Sequence, residues 1–306
     1  MVYFRFHVRL IWKGNGDFMM YPYCELHCHS TWSDGKLSPD ALVREAKNQQ
    51  IGVLAITDHN TVNDLTQLRQ DHPDIHLIQG TEASSMYTDS TGETHQTHFV
   101  GLGFDPNHPR MVELMTLCNP DRTSYNQAQL DALLNINIDL GTLEEMRQRW
   151  EGRPQLGTRQ FAEDLVRFGY AASVPDAYDR YLGRNGTAYV KNPLTYPDME
   201  QVVQAILAAG GIPVLAHLFY YGMNDLDNHR FVGQFRELTG DKGAMETEYA
   251  EYTPGQCERL LKEFARPYGL MESCASDFHG VGLNPSDHLG HRFPQKRFRP
   301  LLERVL

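Results

Sequence analysis

Val53-Leu54-Ala55-Ile56-Thr57-Asp58-His59 is the stretch whose reading decides the fold. Its head is a short apolar run without alternation, which suits a strand buried on both faces of a parallel sheet. Its tail sets a carboxylate and an imidazole at the strand's C-terminal end. Just upstream, Ser38-Pro39 supplies an N-cap and a first-turn proline. Leu42, Val43 and Ala46 then give one apolar side to a helix over Asp40–Gln50, and Gly52 stops it. Further out the same unit recurs, with strands predicted at His76–Gly80, Phe99–Phe104, Ile212–Ala216, Ala244–Thr247 and Met271–Ala275. Helices are predicted at Asp198–Ala209, closed by Gly210-Gly211, and from about Gln256 to Tyr268. Repeated β-then-α units predict an α/β fold, either a parallel barrel or a doubly wound sheet.

The middle of the chain breaks that rhythm. Gln127–Leu134, Leu143–Trp150, Arg159–Phe168 and Asp176–Leu182 carry helix-like apolar spacing, punctuated by Pro120, Pro154, Pro175 and Pro193. This pattern predicts an N-terminal extension over 1–20, a larger domain over 21–108 and 198–306, and a helical insertion over 109–197. Insertions placed after barrel strands tend to hang over the active-site face.

Composition bounds the function. The chain has 306 residues, enough for one large α/β domain with an insert, and its 41% apolar and 22% charged content is that of an ordinary globular protein. A formal net charge of -11 argues against non-specific DNA or RNA binding, which needs a basic face. It leaves room for a phosphorylated substrate, because bound cations reverse the local sign. The five cysteines form no C-x-x-C pair and are odd in number, which predicts reduced thiols and a cytoplasmic setting. No run of eighteen apolar residues offers a membrane span, and Met1–Met20 has no apolar core of a signal peptide.

The polar residues at the strand ends carry the chemistry. In His27-Cys28-His29-Ser30-Thr31-Trp32-Ser33-Asp34-Gly35, strand alternation turns His27 and His29 one way and Cys28 the other. Cys28 reads as a small buried thiol behind the strand, and Trp32 as a cover for its end. Two converging imidazoles suit a divalent metal, and a tight turn at Gly35 brings Asp34 toward it. His59, Glu82, His217, Asp277 and His279 each follow an apolar strand. One histidine at a strand end is usually structural, but core burial does not explain four such ends plus the opening motif. No Ser-His-Asp or Cys-His arrangement competes with this set.

His-x-His, Ser-Asp-Gly, Ile-Thr-Asp-His, Gly-x-Glu, His-x-Val-Gly-Leu, Leu-Ala-His and Ser-Asp-Phe-His occur in that order from about Tyr23 to Gly280. The set resembles the PHP (polymerase and histidinol phosphatase) phosphoesterases, and within them the stand-alone nucleotide phosphatase and RNA 5′-exonuclease branch. The resemblance implies a distorted seven-stranded (β/α) TIM-like barrel with a helical insertion subdomain. It also implies nine catalytic metal ligands: His27, His29, Asp34, His59, Glu82, His98, His217, Asp277 and His279. They would hold two or three divalent ions, manganese, iron or zinc, with Glu82 as the bridging carboxylate. His98 matches the family's His-x-Val-Gly-Leu, whereas His95 is expected in an exposed loop after Thr88–Gly92.

The implied activity is metal-dependent hydrolysis of phosphate esters through a metal-activated hydroxide. The expected substrates are AMP, a nucleoside 3′,5′-bisphosphate, or the 5′ end of a short phosphorylated RNA. In this branch basic residues of the insert help bind phosphate, and the matching segment keeps Arg184, whose guanidinium suits bidentate contact. Two departures bear on substrate choice. Gln160 stands where the family usually has His, and Leu218-Phe219-Tyr220-Tyr221 replaces the usual Pro-Gly after His217. Alternative readings are a sugar- or histidinol-phosphate phosphatase, amidohydrolysis on a related barrel, and a non-catalytic metal-binding PHP module. Ser-Asp-Gly and Thr-Asp-His argue against amidohydrolysis, and the intact ligand set argues against the inert module.

Overall fold

The computed structural model describes residues 21–151, 156–191, 193–281 and 288–306, so the expected extension over 1–20 lies outside the described residues. Seven strands form one sheet in chain order: β1 (Tyr23–Cys28), β2 (Ile51–Ile56), β3 (His76–Thr88), β4 (Thr94–Leu102), β5 (Ile212–Leu215), β6 (Ala244–Tyr249) and β7 (Met271–Ala275). β7 returns to β1, where the Cys24 and Cys274 sulfurs lie 3.7 Å apart and Cys28 bridges to Phe278, so the sheet is a nearly closed barrel. The fold is mixed α/β, a distorted seven-stranded barrel.

The distortion sits at β3 and β4. β1-β2-β3 and β5-β6-β7 run parallel, but β4 is antiparallel to both neighbours. Only five residues separate Thr88 from Thr94, too few for the crossover that parallel pairing demands. The tip closes through Asp89, whose carboxylate accepts from the Thr91 and Glu93 amides, and through Gly92 at φ +86°. β3 and β4 therefore extend well beyond the spans predicted for them. His95 lies within β4 rather than in an exposed loop. It is half-buried against Tyr87 across the hairpin and bound to Asp89 at 2.9 Å. The polar run Ser84–Thr97 hid this strand pair from a reading by apolar runs.

Helices cover the sheet. α1 (Pro39–Asn48), capped by Ser38, buries Leu42, Val43 and Ala46 against Ile51, Leu54 and Cys28. α2 (Thr66–Asp71) follows β2. α3 (Pro109–Cys118) packs Met111, Leu114 and Cys118 into the core that also holds residues of β4 and β5. The segment after it, α4 (Thr123–Leu134), α5 (Leu143–Arg149), α6 (Thr158–Arg167) and α7 (Val174–Ala177), builds a separate core around Leu133, Met146, Phe161 and Leu165. α7 runs into a wider π-type turn, Tyr178–Leu182.

α8 (Met199–Ala208) and α9 (Asp225–Thr239) return to the barrel core. α10 (Pro254–Arg259) continues through a π-type turn, Leu260–Ala265, into α11 (Arg266–Tyr268), and α12 (Arg299–Val305) packs Leu301 and Leu302 beside Val100 and Val214. All five cysteines are buried and free of disulfides. Among the described residues no helix is long and apolar enough to cross a membrane.

Candidate active site

The nine residues expected as ligands, from β1, β3, β4 and the segments after β1, β2, β5 and β7, meet in one cluster. His27 is the penultimate residue of β1 and His29 lies just beyond the strand; their Nε2 atoms face each other at 3.2 Å. Glu82, inside β3 rather than after it, reaches five imidazoles. Its Oε2 is 2.8 Å from His59, 3.3 Å from His27 and 3.3 Å from His29. Its Oε1 is 2.8 Å from His98 and 2.9 Å from His217. Asp277 Oδ1 lies 2.9 Å from His29 Nε2, and Asp34 Oδ1 lies 3.3 Å from His279 Nε2.

Three overlapping groups could each hold an ion: His29-Asp34-His59-His279, His27-His29-Glu82-Asp277 and His59-Glu82-His98. A divalent cation fits them on two observations. The Nδ1 atoms of His29 and His217 are buried without a hydrogen-bond partner among the described residues. The His27 and His29 nitrogens converge where at most one proton can sit, as lone pairs aimed at a shared cation would. His residues and carboxylates are the donor set that manganese, iron and zinc accept.

The electrostatics keep the carboxylates and His29 in their ligating forms. At His27, His59 and His217 burial is outweighed by Glu82 and its neighbouring carboxylates, which raise those imidazoles and leave them protons for a cation to displace. Burial would raise the Glu82 carboxyl, but His59, His98 and His27 outweigh it and hold it well below the ordinary glutamate range. Burial likewise opposes ionisation of Asp277, and His27 and His279 hold it well below its usual value. Burial, with the charges of His279 and His59, lowers the His29 imidazole to about 3, leaving it neutral as a ligand must be. Burial pushes the Cys28 thiol well up, so it is an inert packing group, and its sulfur rests 3.3 Å from the Ala55 carbonyl.

Four supporting residues had no role assigned from the sequence, although Asp58 stood within its Thr-Asp-His motif. Glu246 on β6 accepts from His27 Nδ1 at 2.7 Å and from the His217 amide at 2.7 Å. It thereby turns His27 Nε2 inward and steadies His217, whose backbone is held at φ +25°. Asp58 accepts four hydrogen bonds, from the amides and hydroxyls of Ser30 and Ser33 at 2.5–3.0 Å. That ties down the loop that presents Asp34. Glu25 ties β1 to β7 by accepting from the His27 and Ser276 amides, and burial pushes its carboxyl up to about 7. Tyr249 donates to Asp277 Oδ2 at 2.8 Å. The signal available for Glu246 was a carboxylate directly after the apolar pair Ala244-Met245 in a predicted strand.

The cluster opens through Asp34, His59 and His98 onto a cavity of about 430 Å³. Its far wall comes from the segment expected as the insertion and carries Arg122, Arg159, Gln160, Tyr125, Tyr178 and Tyr196. The π-type turn puts Tyr178 and Leu182 on this wall, a common use of such turns at functional sites. Arg184, expected at the phosphate, is not among the lining residues. Its guanidinium pairs with Glu93 at the tip of the β3–β4 hairpin and stays exposed. A carboxylate within reach offered that charge a nearer partner. Gln160 lines the cavity, but its Oε1 accepts from the Gly157 amide at 2.7 Å and so also caps α6.

Comparisons with known proteins agree with this geometry. Residues 25–148 match the PHP domain. The chain is 35% identical over 259 residues to the 5′-3′ exoribonuclease Rnm of Escherichia coli, covering 83% of this chain and 84% of that protein. It is 27% identical over 270 residues to the 3′,5′-nucleoside bisphosphate phosphatase of Chromobacterium violaceum, covering 87% and 90%. A solved Chromobacterium violaceum structure, described as an amidohydrolase with bound sulfate and no metal, superposes at TM-score 0.77 with 26% identity, covering 93% of this chain and 97% of that one. This chain therefore belongs to the PHP-domain family of metal-dependent phosphoesterases.

Proposed function

We propose that the enzyme hydrolyses the phosphate ester of a nucleoside 3′,5′-bisphosphate, of AMP, or of the 5′ end of a short phosphorylated RNA. Two or three divalent ions would be held by His27, His29, Asp34, His59, Glu82, His98, His217, Asp277 and His279. The observation that carries this reading is the cavity: it joins the ligand cluster on one side to two arginines and three tyrosines on the other. Its volume of about 430 Å³ is that of a small-molecule site. Relatives named for RNA and for nucleoside bisphosphates support the same substrate class.

Each side chain then has a task. Arg159 Nη1 lies 4.0 Å from Asp34 Oδ2, so its charge stands beside the reacting phosphate and attracts it. Arg122 is braced by the Leu156 carbonyl and the Tyr196 hydroxyl, which fixes a second positive charge for the substrate's other phosphate. Burial pushes the Tyr178 hydroxyl up to about 12, so it remains a hydrogen-bond donor at neutral pH. When bound, the divalent ions supply Lewis-acid charge that polarises phosphoryl oxygens and acidifies water. Glu246 and Asp58 hold the ligands in register while the phosphate binds.

The test is phosphate or nucleotide release from adenosine 3′,5′-bisphosphate, AMP and a 5′-phosphorylated oligoribonucleotide with manganese, iron or zinc, alongside metal analysis. We expect turnover on at least one of them by protein holding two or more ions. Fewer than one tightly bound ion, with no turnover on any, overturns the reading. Turnover confined to sugar phosphates or histidinol phosphate replaces the substrate class. Arg159→Ala should raise KM at least tenfold, about the worth of a charged hydrogen bond, and leave metal content unchanged.

A further inference from the structure

The stretch Leu218-Phe219-Tyr220-Tyr221 finds a structural use that metal binding does not exhaust. It forms a 3-10 turn directly after His217. Leu218 is buried, and Tyr221 braces the site by accepting from the His98 amide and donating to the Ala216 carbonyl, both at 2.9 Å. Tyr220 is turned out instead: 60% of it is exposed. Lone exposed hydrophobics are common on protein surfaces and ask for no explanation. Tyr220 differs in being both fixed and adjacent to the chemistry.

Its hydroxyl donates to Glu251 at 2.6 Å, and its ring stacks on Tyr252 at 6.5 Å with planes 28° apart. The same ring lies 5.7 Å from the His217 imidazole and 5.8 Å from Tyr249, whose hydroxyl holds Asp277. Tyr220 therefore borders the His217–Asp277 edge of the cluster. The substrate cavity opens from the Asp34, His59 and His98 edge, and neither Tyr220 nor its ring neighbours line it. The two edges adjoin: His98 lines the cavity and its ring lies 5.3 Å from His217, so the Tyr220 edge continues from the cavity past the cluster.

We propose that Tyr220 is a stacking platform for the nucleobase immediately 3′ of the scissile phosphate, which makes the enzyme favour a chain of at least two nucleotides. The proposal rests on the phosphoesterase reading above and adds a second subsite to it. Stacking on an aromatic ring is tolerant of sequence, because every base offers a π face, and it needs no basic surface. That agrees with a chain whose net charge is -11. Glu251 and Tyr252 fix the ring before the base arrives, which lowers the entropy lost on binding.

The test compares a 5′-phosphorylated diribonucleotide with the same molecule lacking its second base, using manganese-loaded protein. The readout is the ratio of the two kcat/KM values. We expect a ratio of roughly ten in the wild type, a ratio near one for Tyr220→Ala, and recovery for Tyr220→Trp. A second readout is independent of turnover: 2-aminopurine at the second position should lose fluorescence on binding to wild type and Tyr220→Trp but not to Tyr220→Ala. A wild-type ratio near one, or equal ratios in wild type and Tyr220→Ala, overturns the platform and leaves the phosphoesterase reading standing. Hydrolysis of neither molecule also overturns the platform, and the phosphoesterase reading then stands or falls on AMP and adenosine 3′,5′-bisphosphate.

Discussion

Glu82 contacts five imidazoles with two oxygens, so no other side chain in the cluster carries as many of its contacts. Glu82→Gln keeps the shape and removes the charge. We expect it to cost at least one bound ion and most of the activity, checked by metal analysis beside a phosphate-release assay. Glu246 acts one step back, through His27 Nδ1 and the His217 amide. Losses of about 10–100-fold in metal affinity or activity are usual when such a partner of a ligating histidine is removed. Glu246→Gln should fall in that range in a metal titration, and an unchanged affinity would remove Glu246 from the site. Gln160→His should change KM or substrate preference with metal content intact, since Gln160 faces the cavity and its side chain bonds the Gly157 amide rather than a proposed ligand.

At the scale of elements, the loop between β1 and α1 is the most tightly specified piece. Its shape depends on Asp58, contributed by the turn after β2, and on the absence of a side chain at Gly35. A Cβ at Gly35 would stand 2.3 Å from the His29 carbonyl oxygen. Asp58→Asn removes the charge and part of the acceptor capacity beneath Ser30 and Ser33. The expected cost is about 1.5–3 kcal/mol, read as a lower urea midpoint, the range for hydrogen bonds to a charged group. Asp34 should loosen with the loop, so metal affinity should fall as well. The β3–β4 hairpin is the other decisive element. Its antiparallel run places Glu82 and His98 on neighbouring strands, where one carboxylate oxygen reaches the imidazole.

At the scale of the molecule, the cluster packs buried carboxylates and imidazoles from all parts of the barrel into one place. Such a site without cations has uncompensated groups, so cations should stabilise the whole fold. Ligand at 100 times its Kd adds about 2.7 kcal/mol, which for a domain of this size corresponds to roughly 5–10 °C in Tm. Chelation should lower Tm by that order and abolish turnover, and added manganese should restore both. A Tm indifferent to chelator would mean the cluster holds no resident ion.

Much of this was legible in the chain itself. Residue type and position at strand ends pointed to His27, His29, Asp34, His59, Glu82, His217, Asp277 and His279, because a strand reports its burial through local pattern, and the resemblance to the PHP family added His98. The alternation of strands and helices carried the α/β class in the same way. Tertiary structure alone decided the rest. His29 and Asp277 are 248 residues apart and meet at 2.9 Å only because β1 and β7 close the barrel. Glu246 and Asp58 acquire their roles from which strand ends lie side by side, and Arg184 loses its expected one to Glu93 across the hairpin. The five-residue turn that reverses β4 was present in the sequence, but its meaning depended on a polar strand that no apolar run announces. Periodicity records what each segment buries; strand register and barrel closure determine which buried groups meet.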